Sequence, residues 1–289
     1  MTNLFMLKNE IIESDLIFME KNFYKGYRIL KGNTEYINQM MADENYIKSF
    51  VVNEYILIQN IDDNSEKEMR FDGEKFIKLR LPPSDYIKGK NALQRCGLDL
   101  LNNKNITACA ILGGYGSGKS YISMKMGLYG VKEKDWYSRM VLIREALGSG
   151  KEVGFLKGDL EDKTNLLFLP LAQQLDGGEI EVDVLKRQGV LESNIFYYLK
   201  GTTYNDAVMI VDEAEDLTED QIKLAGTRIG ENGRIVFSGD YKQDEFKRYE
   251  NNPLVKMCNE LRGNPLFGCI YLGEDVRSTT SKMFANLFE

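Results

Sequence analysis

The stretch Gly113-Gly114-Tyr115-Gly116-Ser117-Gly118-Lys119-Ser120 fits G-x-x-x-x-G-K-[ST] without a mismatch. The chemistry served by that spacing is anion binding. Glycines let successive backbone N–H groups converge on one point, and a helix beginning just after them adds its positive dipole end there. A phosphate suits that point. Lys119 would reach the β and γ phosphates as a point charge, and the Ser120 hydroxyl would be one ligand of an octahedral Mg2+. The cradle is read as Gly113, Gly114, Tyr115, Gly116, Ser117, Gly118, Lys119 and Ser120, with Tyr121 in the first helical turn.

A second constellation lies downstream. Val208-Met209-Ile210-Val211 is followed by Asp212-Glu213, and acids at the carboxyl end of a buried parallel strand stand where ligands bind. Asp212 would hold Mg2+ through its water shell, and Glu213 would position or activate an attacking water. Ser238-Gly239-Asp240-Tyr241-Lys242-Gln243 also follows an apolar run, so Asp240 and Gln243 could sense the γ-phosphate from a neighbouring strand tip. Arg144, Arg228 and Arg277 are candidate cations for transition-state charge, a role worth about 10³ to 10⁵ in rate; the sequence does not choose among them. Lys200, Lys242, Lys247, Arg248 and Lys256, interleaved with Tyr197, Tyr198, Tyr204, Tyr241 and Tyr249, could stack and neutralise a single strand.

These groups need a frame. Ile106 to Leu112 reads as a buried strand and Ser120 to Val131 as the helix after the loop. Asn91 is a good cap for a helix through Leu93, Leu98, Leu100 and Leu101. Further strands are expected at Arg139 to Ile143, Asn194 to Leu199, Ala207 to Val211, Arg234 to Phe237 and Phe267 to Leu272. Helices are expected from Leu160 into Leu175, from the Thr218/Gln221 capping box to Gly230, from about Asp244 to Leu261, and from Ser278. Alternation of this kind implies a parallel sheet covered on both faces. Ahead of it, Pro82-Pro83 marks a boundary. Residues 49–83 carry strand-like runs around the tight-turn dipeptide Asp72-Gly73 and read as a small antiparallel meander. Residues 1–48 read as a helix and an irregular segment.

Bulk properties restrict the chemistry. The chain has 289 residues, 43% of them hydrophobic, enough for a full core. It has no histidine, which removes imidazole bases, histidine-dependent triads and most zinc sites. The net charge of -7 argues against a protein that coats nucleic acid, leaving room for a local basic groove. Cys96, Cys109, Cys258 and Cys269 show no C-x-x-C spacing and are read as reduced thiols in a cytoplasmic protein. No basic leader and no bilayer-length apolar run is present, so neither a signal peptide nor a membrane span is expected.

Taken together, the chain resembles the PhoH-like P-loop ATPases, relatives of superfamily 1 helicases, from about Tyr86 onward. The resemblance rests on Asn91-Ala92-Leu93-Gln94-Arg95, Gly154-Phe155-Leu156-Lys157-Gly158-Asp159, Asn205-Asp206-Ala207, Asp212-Glu213-Ala214, Thr227-Arg228-Ile229-Gly230, Gly239-Asp240-x-x-Gln243 and Glu274-Asp275-Val276-Arg277, in order. It implies an α/β RecA-like P-loop NTPase domain over residues 84–289, preceded by a small β-containing subdomain. It further implies ATP and Mg2+ as cofactors, Gln94 as the reader of adenine, and Lys119, Glu213 and Gln243 as the hydrolytic set. Residues near Asn53 and Asp72-Gly73 look like the region that joins a PIN ribonuclease domain to the ATPase in longer members, and the residues before them are too few for such a domain. The chain departs from the family pattern at Glu215-Asp216, usually Gln-Asn, at Glu145, usually proline, and at Thr202, usually arginine: an added acid and a lost base, which bear on nucleic acid more than on ATP. With one phosphate loop per chain, a ring is expected, hexameric by resemblance, with Arg277 or Arg228 reaching a neighbour's site. The leading expectation is an ATPase that remodels RNA or single-stranded DNA. The alternative is a nucleotide-gated interaction module regulating a partner such as a separately encoded nuclease.

Overall fold

Among the described residues six strands, all but one of them largely apolar, build one all-parallel sheet, in the order β10-β5-β9-β8-β6-β7. The structure is a computed structural model that describes residues 23–114, 116–144, 172–173, 175, 177–240, 252–273 and 276. The strands are β5 (Ala108–Gly113), β6 (Arg139–Arg144), β7 (Leu191–Ile195), β8 (Ala207–Asp212), β9 (Arg234–Gly239) and β10 (Phe267–Leu272). Every residue of β8, β9 and β10 is buried, as expected of strands covered on both sides. Side-chain alternation splits the core in two. Val208, Ile210 and Val236 join Leu98, Met124, Met140 and Leu185 on one face. Met209, Val211 and Phe237 join Leu254, Cys258 and Ala225 on the other.

The first face is covered by α3 (Ala92–Leu101), α4 (Lys119–Lys132) and α5 (Gly178–Arg187). The second is covered by α6 (Glu219–Gly226) and α7 (Pro253–Glu260). The chain leaves β5 through α4 on one side of the sheet, while α7, on the other side, lies between β9 and β10. Neighbouring strands whose connections part to opposite faces open a crevice at their carboxyl ends, and the phosphate loop stands there.

The N-terminal sheet has the order β1-β2-β3-β4. Strands β2 (Tyr55–Asn60), β3 (Glu66–Phe71) and β4 (Phe76–Lys78) are antiparallel neighbours. The turn between β3 and β4 uses Gly73 at φ +107, with Asp72 accepting hydrogen bonds from the N–H groups of Glu74 and Lys75. Where the pattern suggests irregular chain, β1 (Tyr27–Gly32) pairs in parallel with β2, and α1 (Thr34–Ala42) and α2 (Glu44–Lys48) follow. The sheet is therefore mixed. Its short strands and interleaved charges give β1 little periodic signal, and it is set by pairing with β2 over distance.

Three other elements differ from expectation. Strand β7 begins at Leu191, and Phe196–Leu199 is a 3-10 turn; Glu192, Ser193 and Asn194 of β7 are only half-buried, so the strand needs no apolar run. Helix α5 has little sequence signal because only Val182 and Leu185 are buried on it, though its acids at the first turn and bases at the last suit the helix dipole. Helix α6 stops at Gly226, and Ile229 instead bridges to Tyr204. The expected helix from Leu160 and the one from Ser278 lie essentially outside the described residues.

Candidate nucleotide-binding site

The loop is set by backbone conformations that only glycine accepts easily. Gly118 caps α4 at φ +88, and a Cβ there would lie 2.8 Å from Gln94 Nε2. At Gly113, a Cβ would meet Leu272 O at 2.6 Å and Ser117 Oγ at 2.7 Å. Two struts hold the loop from outside. Asn91 caps α3 by accepting the N–H of Gln94 at 2.8 Å. The buried Gln94 amide then accepts from Lys90 N–H at 2.8 Å and donates to Ser117 O at 2.8 Å. Both ends of Gln94 are thus engaged with the protein, so it braces the loop from α3. On the other side, Val276 N–H donates to Gly116 O at 3.1 Å.

The two sequence constellations meet. Ser120, in the first turn of α4, donates its hydroxyl to Asp212 Oδ1 at 2.8 Å. A hydroxyl and a carboxylate held side by side are hard oxygen donors of the kind Mg2+ takes, directly or through its waters, so Ser120 and Asp212 fit a Mg2+ site. Ser117 Oγ is buried inside the loop and has no hydrogen-bond partner among the described residues, an unmet hydroxyl of the kind a phosphate oxygen satisfies. The donor set therefore fits a nucleotide and its metal ion.

Glu213 follows at φ +54, ψ +46. A left-handed glutamate costs about 1 kcal/mol or more and persists where its surroundings demand it. Its side chain remains 41% exposed beside the loop. Arg144, at the tip of β6 and in register with Asp212, bonds Glu213 Oε1 through Nη2 and lies 3.8 Å from Asp212 Oδ2. Glu215 is buried and accepts the Asp240 N–H at 3.0 Å. Burial pushes the Glu215 carboxyl above its ordinary value, opposed by the N–H groups of Glu215 and Asp240 and by Lys119. Gly239 is needed beside it, because a Cβ would come within 2.6 Å of Glu215 Oε2. Asp240 is also buried, with Oδ2 at 3.9 Å from the position a Gly114 Cβ would take.

Among the sequence candidates, then, Gly113, Gly114, Gly116, Ser117, Gly118, Lys119, Ser120, Asp212, Glu213, Asp240 and Gln94 cluster at the carboxyl ends of β5, β8 and β9, and Tyr121 stands partly exposed in the first turn of α4. Arg228 does not join them. Its carbonyl accepts from Tyr204 N–H, ahead of β8, at the amino end of the sheet. There Thr227, Ile229 and Gly230 line an open groove of about 840 Å³ between α6 and α7. Tyr115, Gln243 and Arg277 lie outside the described residues. Two residues escape the sequence reading of the site: Glu215, notable there only as a departure from a pattern, and Ser238, whose buried hydroxyl has no partner among the described residues and sits in register with Asp212. The signal for Ser238 is its place at the end of an apolar strand.

The chain is similar to several known proteins. The chain is 29% identical over 210 residues to Protein PhoH2 of Bacillus subtilis, covering 70% of this chain and 47% of that protein. It is 32% identical over 213 residues to Protein PhoH2 of Thermobispora bispora, covering 70% and 48%, and 27% identical over 183 residues to a PhoH-like protein of Synechocystis, covering 63% and 55%. The chain thus spans about half the length of the curated relatives it matches. The family described as PhoH-like protein matches residues 86–289, which contain the brace, the loop and the acids just described: the chain belongs to the PhoH-like family, and membership suggests a P-loop, nucleotide-binding ATPase.

Proposed function

We propose that the protein is a Mg2+-dependent ATPase that cleaves the β–γ bond of ATP. The observation that carries this reading is the Ser120–Asp212 hydrogen bond, which joins the end of the phosphate loop to the acidic strand tip. Bound Mg2+ would neutralise charge on the β and γ phosphate oxygens. The loop N–H groups and Lys119 orient the phosphates and meet the charge that develops on them. Ser120 and Asp212 would hold the metal ion. Glu213, partly exposed at the rim, takes a proton from the attacking water, and Asp240 marks the γ-phosphate end. Residues 84–289 form the ATPase domain, with residues 1–48 and 49–83 as accessory segments. Four buried free thiols suit a reducing cytoplasm.

We further propose that hydrolysis is coupled to RNA or single-stranded DNA in a homo-oligomeric ring, hexamer favoured, with Arg277 or Arg228 entering a neighbour's site. The position of Arg228 at the far end of the sheet from its own loop supports an action in trans. A nucleotide-gated module acting on a partner is favoured instead by one observation, the buried acid Glu215 inside the site. Phosphate release with Mg-ATP, with and without single-stranded RNA and with EDTA, tests these readings. Turnover should require Mg2+ and rise with RNA. Glu213→Gln should lower kcat by about 10² or more, the usual worth of a general base, with ATP affinity kept. Unchanged turnover in that variant overturns the assignment of Glu213, and indifference to nucleic acid favours the module.

A further inference from the structure

Arg144 has a different task from the one an arginine near a phosphate usually has. It ends β6, directly beside Asp212 of β8 in the parallel register. Its Nη2 bonds Glu213 Oε1 and stands 3.8 Å from Asp212 Oδ2. Its side chain is only 19% exposed, against 41% for Glu213, and its Nε is buried without a hydrogen-bond partner among the described residues. The cation is therefore more enclosed by the fold than the acid it bonds.

Two consecutive carboxylates at one strand end repel each other, and a guanidinium within about 4 Å of both offsets that repulsion. A glutamate also has three side-chain torsions, so the left-handed backbone at Glu213 does not by itself decide where the carboxylate rests. An anchored guanidinium does. We propose that Arg144 is a positioning residue for hydrolysis, acting in cis: it fixes the Glu213 carboxylate as the acceptor of the water proton and balances the charge of Asp212. This inference rests on the ATPase reading above. It assigns the cations of the site separate tasks, Lys119 to the phosphates and Arg144 to the acids.

The test is a double-mutant cycle on the full chain with Arg144→Gln, Arg144→Lys, Glu213→Gln and the Arg144→Gln/Glu213→Gln pair. In nucleotide-free protein, the fall in Tm caused by Arg144→Gln should shrink by half or more when Glu213 is already glutamine, because contacting residues couple. In single-turnover hydrolysis of Mg-ATP, Arg144→Gln should slow the chemical step by about tenfold or more, in the range of positioned proton transfer. ATP affinity, read with a fluorescent ATP analogue, should stay within about threefold, and Arg144→Lys should recover part of the rate. The double variant should hydrolyse no more slowly than Glu213→Gln alone. Equal slowing by Arg144→Gln in both backgrounds, an unchanged rate, or a loss confined to ATP affinity would overturn the proposal. If the wild-type chain hydrolyses no ATP, the functional reading fails and the role of Arg144 falls with it. If the wild type hydrolyses and the cycle is additive, the positioning role alone falls.

Discussion

The residue with the clearest pH signature is Glu215. Its carboxyl is buried against Gly239, and among the described residues two N–H groups and Lys119 compensate it. Because burial raises its folded pKa above the unfolded value of about 4.5, the folded chain holds the proton more tightly. Its favourable contribution is full below the unfolded value and is lost as pH rises through the folded one. Glu215→Gln keeps an acceptor for the Asp240 N–H and removes the charge. Thermal unfolding should therefore show the variant more stable than wild type at pH 8, with the difference closing toward pH 5; a difference independent of pH would contradict burial of the charge as the cause. At this scale the grouping of the candidate residues was largely legible. Gly118, Lys119, Ser120, Asp212 and Glu213 declared themselves by type and spacing, because converging N–H groups and metal oxygens allow few alternatives. The Arg144 contact with both acids was not legible, since it depends on β6 lying beside β8 and not on any local pattern.

Elements translate these residues into a site through their caps. Asn91 starts α3 at the position that puts Gln94 under the loop, and Thr218 with Gln221 starts α6 just after the acids Asp212 and Glu213, where a full capping box is seen. Removing the first cap by Asn91→Ala should cost about 1 kcal/mol and lower Tm by roughly 2–4 °C for a domain of this size, measurable by calorimetry, with a further loss of ATP affinity because the brace loosens. Thr218→Ala should give a similar thermal loss and leave ATP affinity unchanged. Strands were legible when buried on both faces, as in β8, β9 and β10, where continuous apolar runs leave no other reading. They were missed or misplaced where the run is short or half polar. Strand β7 is half polar and β1 owes its place to a distant partner, so neither carries a period-2 signal strong enough to fix its ends.

At the scale of the molecule, a buried polar cluster ties the two sheets together. Asp99 of α3 accepts from Tyr55 OH at 2.8 Å, from Arg70 Nε at 2.9 Å and from Arg80 N–H at 2.6 Å. Asn53 bonds Arg70 and reaches the carbonyls of Pro265 and Phe267. Arg70→Met leaves Asp99 charged and underpaired, so urea unfolding should show a loss of about 3–5 kcal/mol; a loss below about 1 kcal/mol would mean that the cluster does not join the sheets. Nucleotide occupancy should also set assembly. Sedimentation with a slowly hydrolysed ATP analogue and Mg2+ is expected to show a ring, hexamer favoured, and a monomer under the same conditions would exclude an arginine acting in trans. The strand order has one more consequence, for timing. Strand β5, which carries the phosphate loop, has only β9 and β10 as neighbours, and about 120 residues separate its end from the start of β9. A ribosome adding about 5–20 residues per second needs roughly 6–25 s to cross that interval. The phosphate loop thus emerges early and waits, and nascent chains should become able to retain ATP only after the last strand has left the exit tunnel.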